Sequence, residues 1–198
     1  MRALLVAFGG FGQRYRASQS LPPLYQCGGE PLKKTEFPMI PLSWLLVVII
    51  LDQATKALII ANYAMFELQP IIPGLFNLTY LTNAGAAFGI LAGAKSVWRQ
   101  VFFIAVALAA IVVLFFSYKQ LRSQGKIFAH AIGLIAGGAV GNLIDRLRFG
   151  VVVDFLDFYF GTYHWPAFNV ADSAITVGVG LFILGSILYP PQENEKLK

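Results

Sequence analysis

The sequence predicts an all-α membrane protein of four transmembrane helices, with a small β-rich platform in the first non-cytoplasmic connector. Three observations lead there. The chain of 198 residues is 57% hydrophobic and 13% charged, with a mean hydropathy of +0.66, whereas a soluble domain carries about 25% charged residues. Four apolar runs are each long enough to cross a bilayer, which takes about 20 helical residues. They are continuous rather than alternating, which favours helices over a membrane barrel. Between the first and second runs, short apolar stretches separated by Pro and Gly read as strands.

The net charge of +5 is small and dispersed. In a membrane protein it reports orientation rather than nucleic-acid binding, so no nucleic-acid partner is expected. A single cysteine, Cys27, excludes an intrachain disulfide and a thiolate metal cluster. With only His130 and His164 present, a histidine-rich metal site has no support. No cofactor and no metal are expected.

Residues 1–38 differ in composition from the rest. They carry Arg2, Arg14, Arg16, Lys33, Lys34 and Pro22-Pro23, and their apolar run from Ala3 to Phe11 is too short to span. No small-residue cleavage site follows that run, and bulky residues before Cys27 argue against lipidation there. A disordered, basic, cytoplasmic extension is expected, with the membrane domain occupying 39–198 and Met39 as a candidate start.

The first span is expected at 41–62. Its Asp52 and Lys56 are four apart and share a helical face. They are either an internal ion pair that lets the helix insert or groups facing a polar site between helices. The connector 63–96 has turn signals at Pro70, Pro73-Gly74 and Gly85. Ile71-Ile72 and Leu75 to Leu81 read as strands, and the small residues of Thr82-Asn83-Ala84-Gly85-Ala86-Ala87-Phe88 allow close backbone approach. The second span, 97–118, is wholly apolar from Val101 to Phe116 and serves as scaffold.

The third span is expected at 127–147. Gly133, Gly137 and Gly141 recur every fourth residue, the small-xxx-small pattern of close helix packing. That stripe suits packing within one chain better than dimerisation, and a monomer is expected. The span ends with Asn142 and Arg146 on one face. Arg146 either snorkels to the headgroups or belongs to a site, the reading that Asn142, an amide needing a partner, supports. The fourth span, 170–189, is stopped by Pro190-Pro191. Before it, Phe155, Phe158, Tyr159, Phe160, Tyr163, Trp165 and Phe168 suit an aromatic belt at the membrane surface. Within that stretch His164 reads as an interfacial loop residue and Asp157 as a solvated loop carboxylate.

The connector between spans two and three holds Lys119, Arg122 and Lys126 and no acid, while the others are poorer in basic residues. Both termini are therefore expected in the cytoplasm, and the connectors holding Asn83, Asp154 and Asp172 outside it. There is no Gly-x-Ser-x-Gly elbow and no His-Glu-x-x-His pair, which argues against a serine hydrolase and a zincin. Asp154 and Asp172 are the outward carboxylates most deeply set in apolar sequence, where a charge is costly. Asp172 falls in the first turn of a helix, where the dipole favours its ionised form. If the two approach, they share one proton; the neutral one polarises a scissile carbonyl and the ionised one takes a proton from water.

Five motifs then occur in order: Leu51-Asp52-Gln53-Ala54-Thr55-Lys56, Asn83 to Phe88, Gly137 to Arg146, Val152-Val153-Asp154-Phe155, and Phe168 to Ser173. Together they resemble the motifs of lipoprotein signal peptidase, also called signal peptidase II, over about Met39 to Tyr189. The resemblance implies an aspartyl endopeptidase of the bacterial inner membrane, surrounded by membrane lipid. It implies diacylglyceryl-modified prolipoprotein substrates, cut just before the lipidated cysteine. By the same resemblance Asp154 and Asp172 match the catalytic dyad, and Asp52, Lys56, Asn83, Asn142, Arg146 and Asn169 match positions that support it or hold substrate. The extension before Met39 is a departure from the family layout. The competing reading is a small polytopic carrier or channel using intramembrane Asp52 and Lys56; against it, no internal repeat of the transporter kind is present.

Overall fold

The computed structural model describes residues 39–85, 97–121 and 125–190. The N-terminal extension and Ala86, Ala87 and Phe88 of the small-residue segment lie outside the described residues. Among the described residues, four helices are long and apolar enough to cross a membrane: α1 (Met39–Asn62), α2 (Val97–Leu121), α3 (Lys126–Phe149) and α4 (Val170–Leu188).

α3 is the central helix and packs against α1, α2 and α4. Lipid tails are as apolar as the helix surfaces, so close fit rather than water exclusion drives this packing. The glycine stripe supplies the fit. Gly133 lies against Pro41 and Trp44, Gly137 against Leu45 and Val48, and Gly141 against Asp52, all on α1. Gly138, one position round the helix, lies against Ala171 and Ile175 of α4. α4 answers with small buried residues of its own, Ala171, Ala174, Gly178 and Gly185. The stripe is thus occupied within the chain. α2 has no buried residue and presents its apolar surface outward.

A Cβ at Gly137 would come 2.8 Å from the Val48 Cβ. Gly137→Val is expected to over-pack the α1–α3 contact by about 1–3 kcal/mol. Thermal unfolding in detergent should show a lowered Tm, with that of Gly180→Ala, which has nothing within 4 Å, equal to wild type or higher; an unchanged Tm in Gly137→Val would contradict this packing.

The expected platform is present, but its composition differs from the expectation. β1 (Leu68–Ile72) and β2 (Phe76–Asn83) come from the first connector, while β3 (Val152–Phe160) and β4 (Tyr163–His164) come from the stretch read as an aromatic belt. The order is β1-β2-β3-β4, all antiparallel. Val152, Val153, Phe155 and Tyr159 are β-branched or aromatic and favour a pleated, half-buried strand; Gly161, at φ +61, turns the chain into β4. Because β2 pairs with β3, the two connectors meet at one end of the bundle, opposite the α2–α3 connection.

One irregularity in the sheet matters for the site. Leu78 pairs with Leu156 and Leu81 with Asp154, so β2 spends three residues where β3 spends two. This is a β-bulge, which re-aims the side chains beyond it. Asn83 thereby becomes the diagonal neighbour of Asp154 on the same face.

Candidate active site

Asp154 stands at the start of β3, just after α3 ends. The turn is made by Gly150 at φ +74, whose N–H donates to the Arg146 carbonyl. Asp154 is buried. Asn169 Nδ2 donates to its Oδ1 at 2.8 Å, and the Asn83 side chain also hydrogen-bonds to it. Asn169 is in turn the N-cap of α4, its Oδ1 accepting the Asp172 backbone N–H at 2.9 Å. This is a common helix start, here with a residue whose other side-chain atom holds a second carboxylate. Asp172 sits in the first turn of α4 and accepts from Asn142 Nδ2 at 2.8 Å. The two amides are themselves in contact, Asn169 Nδ2 to Asn142 Oδ1 at 3.3 Å. The two aspartates are therefore joined through a pair of touching asparagines.

Their environments differ. Burial pushes the Asp154 carboxyl up to about 7, and the charge of Asp172 adds to the shift. The hydrogen bonds from Asn83 and Asn169 and the charge of Lys56 oppose it without cancelling it. Asp172 faces the N-terminal end of a helix dipole, which favours negative charge.

Behind this pair lies a buried ionic frame. Lys56 Nζ is 2.9 Å from Asp52 Oδ2, 2.9 Å from Asp145 Oδ2 and 3.0 Å from Asn142 Oδ1. Gln53 Nε2 donates to both Asp52 Oδ2 and Asp145 Oδ1, at 3.1 and 3.0 Å. Each carboxylate then fixes one backbone amide. Asp52 Oδ1 accepts the Ala171 N–H at 3.0 Å and Asp145 Oδ2 the Val153 N–H at 3.1 Å. Ala171 and Val153 immediately precede Asp172 and Asp154. The ion cluster thus holds the backbone leading into each aspartate. Asp52 and Lys56 are accordingly both an ion pair and part of the interhelical site.

Arg146 does not snorkel away. Its guanidinium stacks 5.1 Å from the Phe103 ring of α2, lies 3.4 Å from the Gly85 and Asn142 carbonyl oxygens, and faces the charges of Asp172, Asp154 and Asp145.

The structure brings all eight singled-out residues together: Asp154, Asp172, Asp52, Lys56, Asn83, Asn142, Arg146 and Asn169. It adds Asp145 and Gln53, to which the sequence alone assigns no role. The available signal was their place inside apolar helices beside residues already singled out, where a carboxylate or amide needs a partner. Asp157 departs from the expectation of a solvated loop carboxylate. It is buried on β3, accepts from Asn77 Nδ2 at 2.7 Å and lies 2.9 Å from His164 Nδ1. The strand pairing that sets Asn77 opposite Asp157 is what buries it.

A family model described as signal peptidase (SPase) II matches residues 44–188. The lipoprotein signal peptidase of Desulforapulum autotrophicum is 49% identical over 137 residues, 69% of this chain and 85% of that protein. The lipoprotein signal peptidase of Syntrophotalea carbinolica is 49% identical over 153 residues, 77% of this chain and 93% of that one. A bacterial membrane enzyme solved by the in meso method at 2.3 Å resolution superposes with a TM-score of 0.69 at 33% identity, covering 82% of this chain and 96% of that chain. The matched span holds the polar site, most of α1 and the whole of α2, α3 and α4, and the chain belongs to the signal peptidase II family.

Proposed function

We propose that this membrane peptidase is an aspartyl endopeptidase that removes the signal peptide from diacylglyceryl-modified prolipoproteins, cutting just before the lipidated cysteine. The observation that carries the reading is the coupling of Asp154 to Asp172 through Asn169 and Asn142. Two carboxyls in mutual influence but in unequal surroundings divide the acid and base roles between them. Asp154, buried and shifted upward, holds the shared proton and polarises the scissile carbonyl. Asp172, at the helix N-terminus where negative charge is favoured, takes a proton from the attacking water. Asn83 and Asn169 keep the Asp154 carboxyl in place, and Asn142 does the same for Asp172. Arg146, with Asn142, orients the substrate backbone, and the connector carrying Asn83 covers it.

A lipid-anchored cysteine keeps the bond at the membrane surface, which suits a site set between the helix ends and the sheet. Lys119 and Lys126 lie at the opposite end of the bundle, which supports cytoplasmic termini and a non-cytoplasmic site. A carrier or channel is not favoured, because Asp52 and Lys56 are held in the ion cluster with Asp145 rather than lining a path.

The test is mass spectrometry of a diacylglyceryl prolipoprotein incubated with the purified protein. Two fragments that divide immediately before the lipidated cysteine are expected; intact substrate would reject the reading. The raised pKa of Asp154 also sets a pH dependence. Its proton is retained below about 7 and lost above it, so kcat/KM should fall on the alkaline side with a midpoint near 7. The sign for stability is the same: the folded-state value lies above the ordinary 3.8, so the contribution is full below 3.8 and is lost as pH rises through about 7. A kcat/KM profile that stays flat from neutral to strongly alkaline pH would count against the assignment of the proton to Asp154.

A further inference from the structure

The sheet carries a second feature that the proposed cleavage chemistry does not use. A cavity of about 410 Å³ opens on it, walled by Phe66, Leu68, Leu81 and Trp165, with Asp157 and His164 as its polar side. Phe66 adopts φ +69, a left-handed conformation that is costly for an aromatic residue and persists only where the surroundings hold it. They do so here. The Phe66 N–H donates to the Tyr80 carbonyl at 2.8 Å, and Thr79 Oγ1 donates to the neighbouring Glu67 carbonyl at 2.8 Å. The Asp157 side chain is 7% exposed and its partner His164 47% exposed, so the carboxylate lies within and the imidazole at the mouth.

The cavity adjoins the aspartate pair. Leu81, one of its walls, is the cross-strand partner of Asp154. Asp157 lies three residues further along β3, about 10 Å at the rise of an extended strand. An extended peptide covers that distance in three residues. The apolar core of a signal peptide must stay with the helices, so the chain beyond the cut leaves over the sheet.

Resting on the peptidase reading above, we propose that this cavity receives the third residue after the cleaved bond and that Asp157 makes it select neutral or basic side chains over acidic ones. Among the described residues, no lysine or arginine lines the cavity to offset the carboxylate. A basic side chain meets that carboxylate beside the aromatic side chains of Phe66 and Trp165, residues of the kind that attract cations. An acidic one meets the same carboxylate in a partly desolvated setting, where like charges repel more strongly than in water.

The experiment uses the full-length protein and diacylglyceryl lipopeptides that differ only in having Lys, Ala, Gly, Trp or Asp at that third position. Lys and Ala are expected to exceed Asp in kcat/KM by about tenfold, chiefly through KM. In Asp157→Asn the Lys-to-Asp ratio should fall below about twofold. Should that variant fail to fold, Ala167, which also lines the cavity, offers a second: Ala167→Leu narrows the cavity while leaving the carboxylate in place, and it should depress cleavage of the Trp substrate relative to the Gly substrate. Equal cleavage of Lys and Asp substrates by the wild type overturns the proposal. So does an unchanged ratio in Asp157→Asn, an unchanged Trp-to-Gly ratio in Ala167→Leu, or a preference that follows the lipid headgroups of the vesicle instead of the peptide. Failure to cut any lipopeptide overturns the peptidase reading itself, and with it this one, so the two failures are distinguishable.

Discussion

Asp154→Asn and Asp172→Asn should each lower cleavage by about 10²–10⁴-fold, the usual contribution of a positioned acid or base, while leaving the fold intact. Asparagine keeps the shape of the side chain and still offers an oxygen to Asn169 or to Asn142. What it removes is the proton exchanged with water and carbonyl. The two losses should not add: once one aspartate is gone the other has no partner, so the double variant should be about as inactive as either single one. Asp154→Asn should also be no less stable than wild type at pH 8, because the wild-type carboxyl, with its pKa raised to about 7 by burial, must by then be largely ionised where a charge is unwelcome. The measurements are lipopeptide cleavage and thermal unfolding of the same purified samples. Near-normal turnover in either single variant rules out the dyad.

Lys56→Met should give the opposite balance, with stability failing first. Asp52, Lys56 and Asp145 are 0%, 2% and 1% exposed, and the lysine is the cation between the two carboxylates. Removing it leaves two buried acids without their cation. Breaking a buried ion pair from one side costs roughly 3–5 kcal/mol, a large share of the 5–15 kcal/mol that holds a typical domain. The damage should reach the site as well, since Asp52 and Asp145 fix the amides of Ala171 and Val153. Restoring charge balance by adding Asp52→Asn to Lys56→Met should recover part of the lost Tm. It should recover less of the activity, because Asn142 Oδ1 still lacks its lysine. A Lys56→Met protein as stable as wild type would show that the cluster does not frame the site.

These variants separate what was legible in the chain from what was not. Asp154, Asp172 and their six companions stand out in sequence because a polar group in an apolar run carries an energetic cost that needs a reason. Asp145 and Gln53 stand in equally apolar surroundings, yet which of several polar neighbours accepts from which depends on how α1 and α3 face each other. Asp157 looks solvated in sequence because its neighbours are loop-like aromatics. It is buried by a strand partner, Asn77, that lies 80 positions away.

The sequence by itself determined the four spans, because hydropathy is a local property of each segment against lipid. It also determined the Asp52–Lys56 pair, since residues four apart on a helix must be neighbours, and the place of Asp172 in the first turn of a helix. Only the tertiary structure decided that the aromatic stretch after α3 is a strand, that an extra residue in β2 turns Asn83 toward Asp154, and that Asp52 holds an amide 119 positions away. Those outcomes depend on register and on how closely the glycines of α3 let its neighbours approach. Both are properties of pairs of segments, and no single segment carries them.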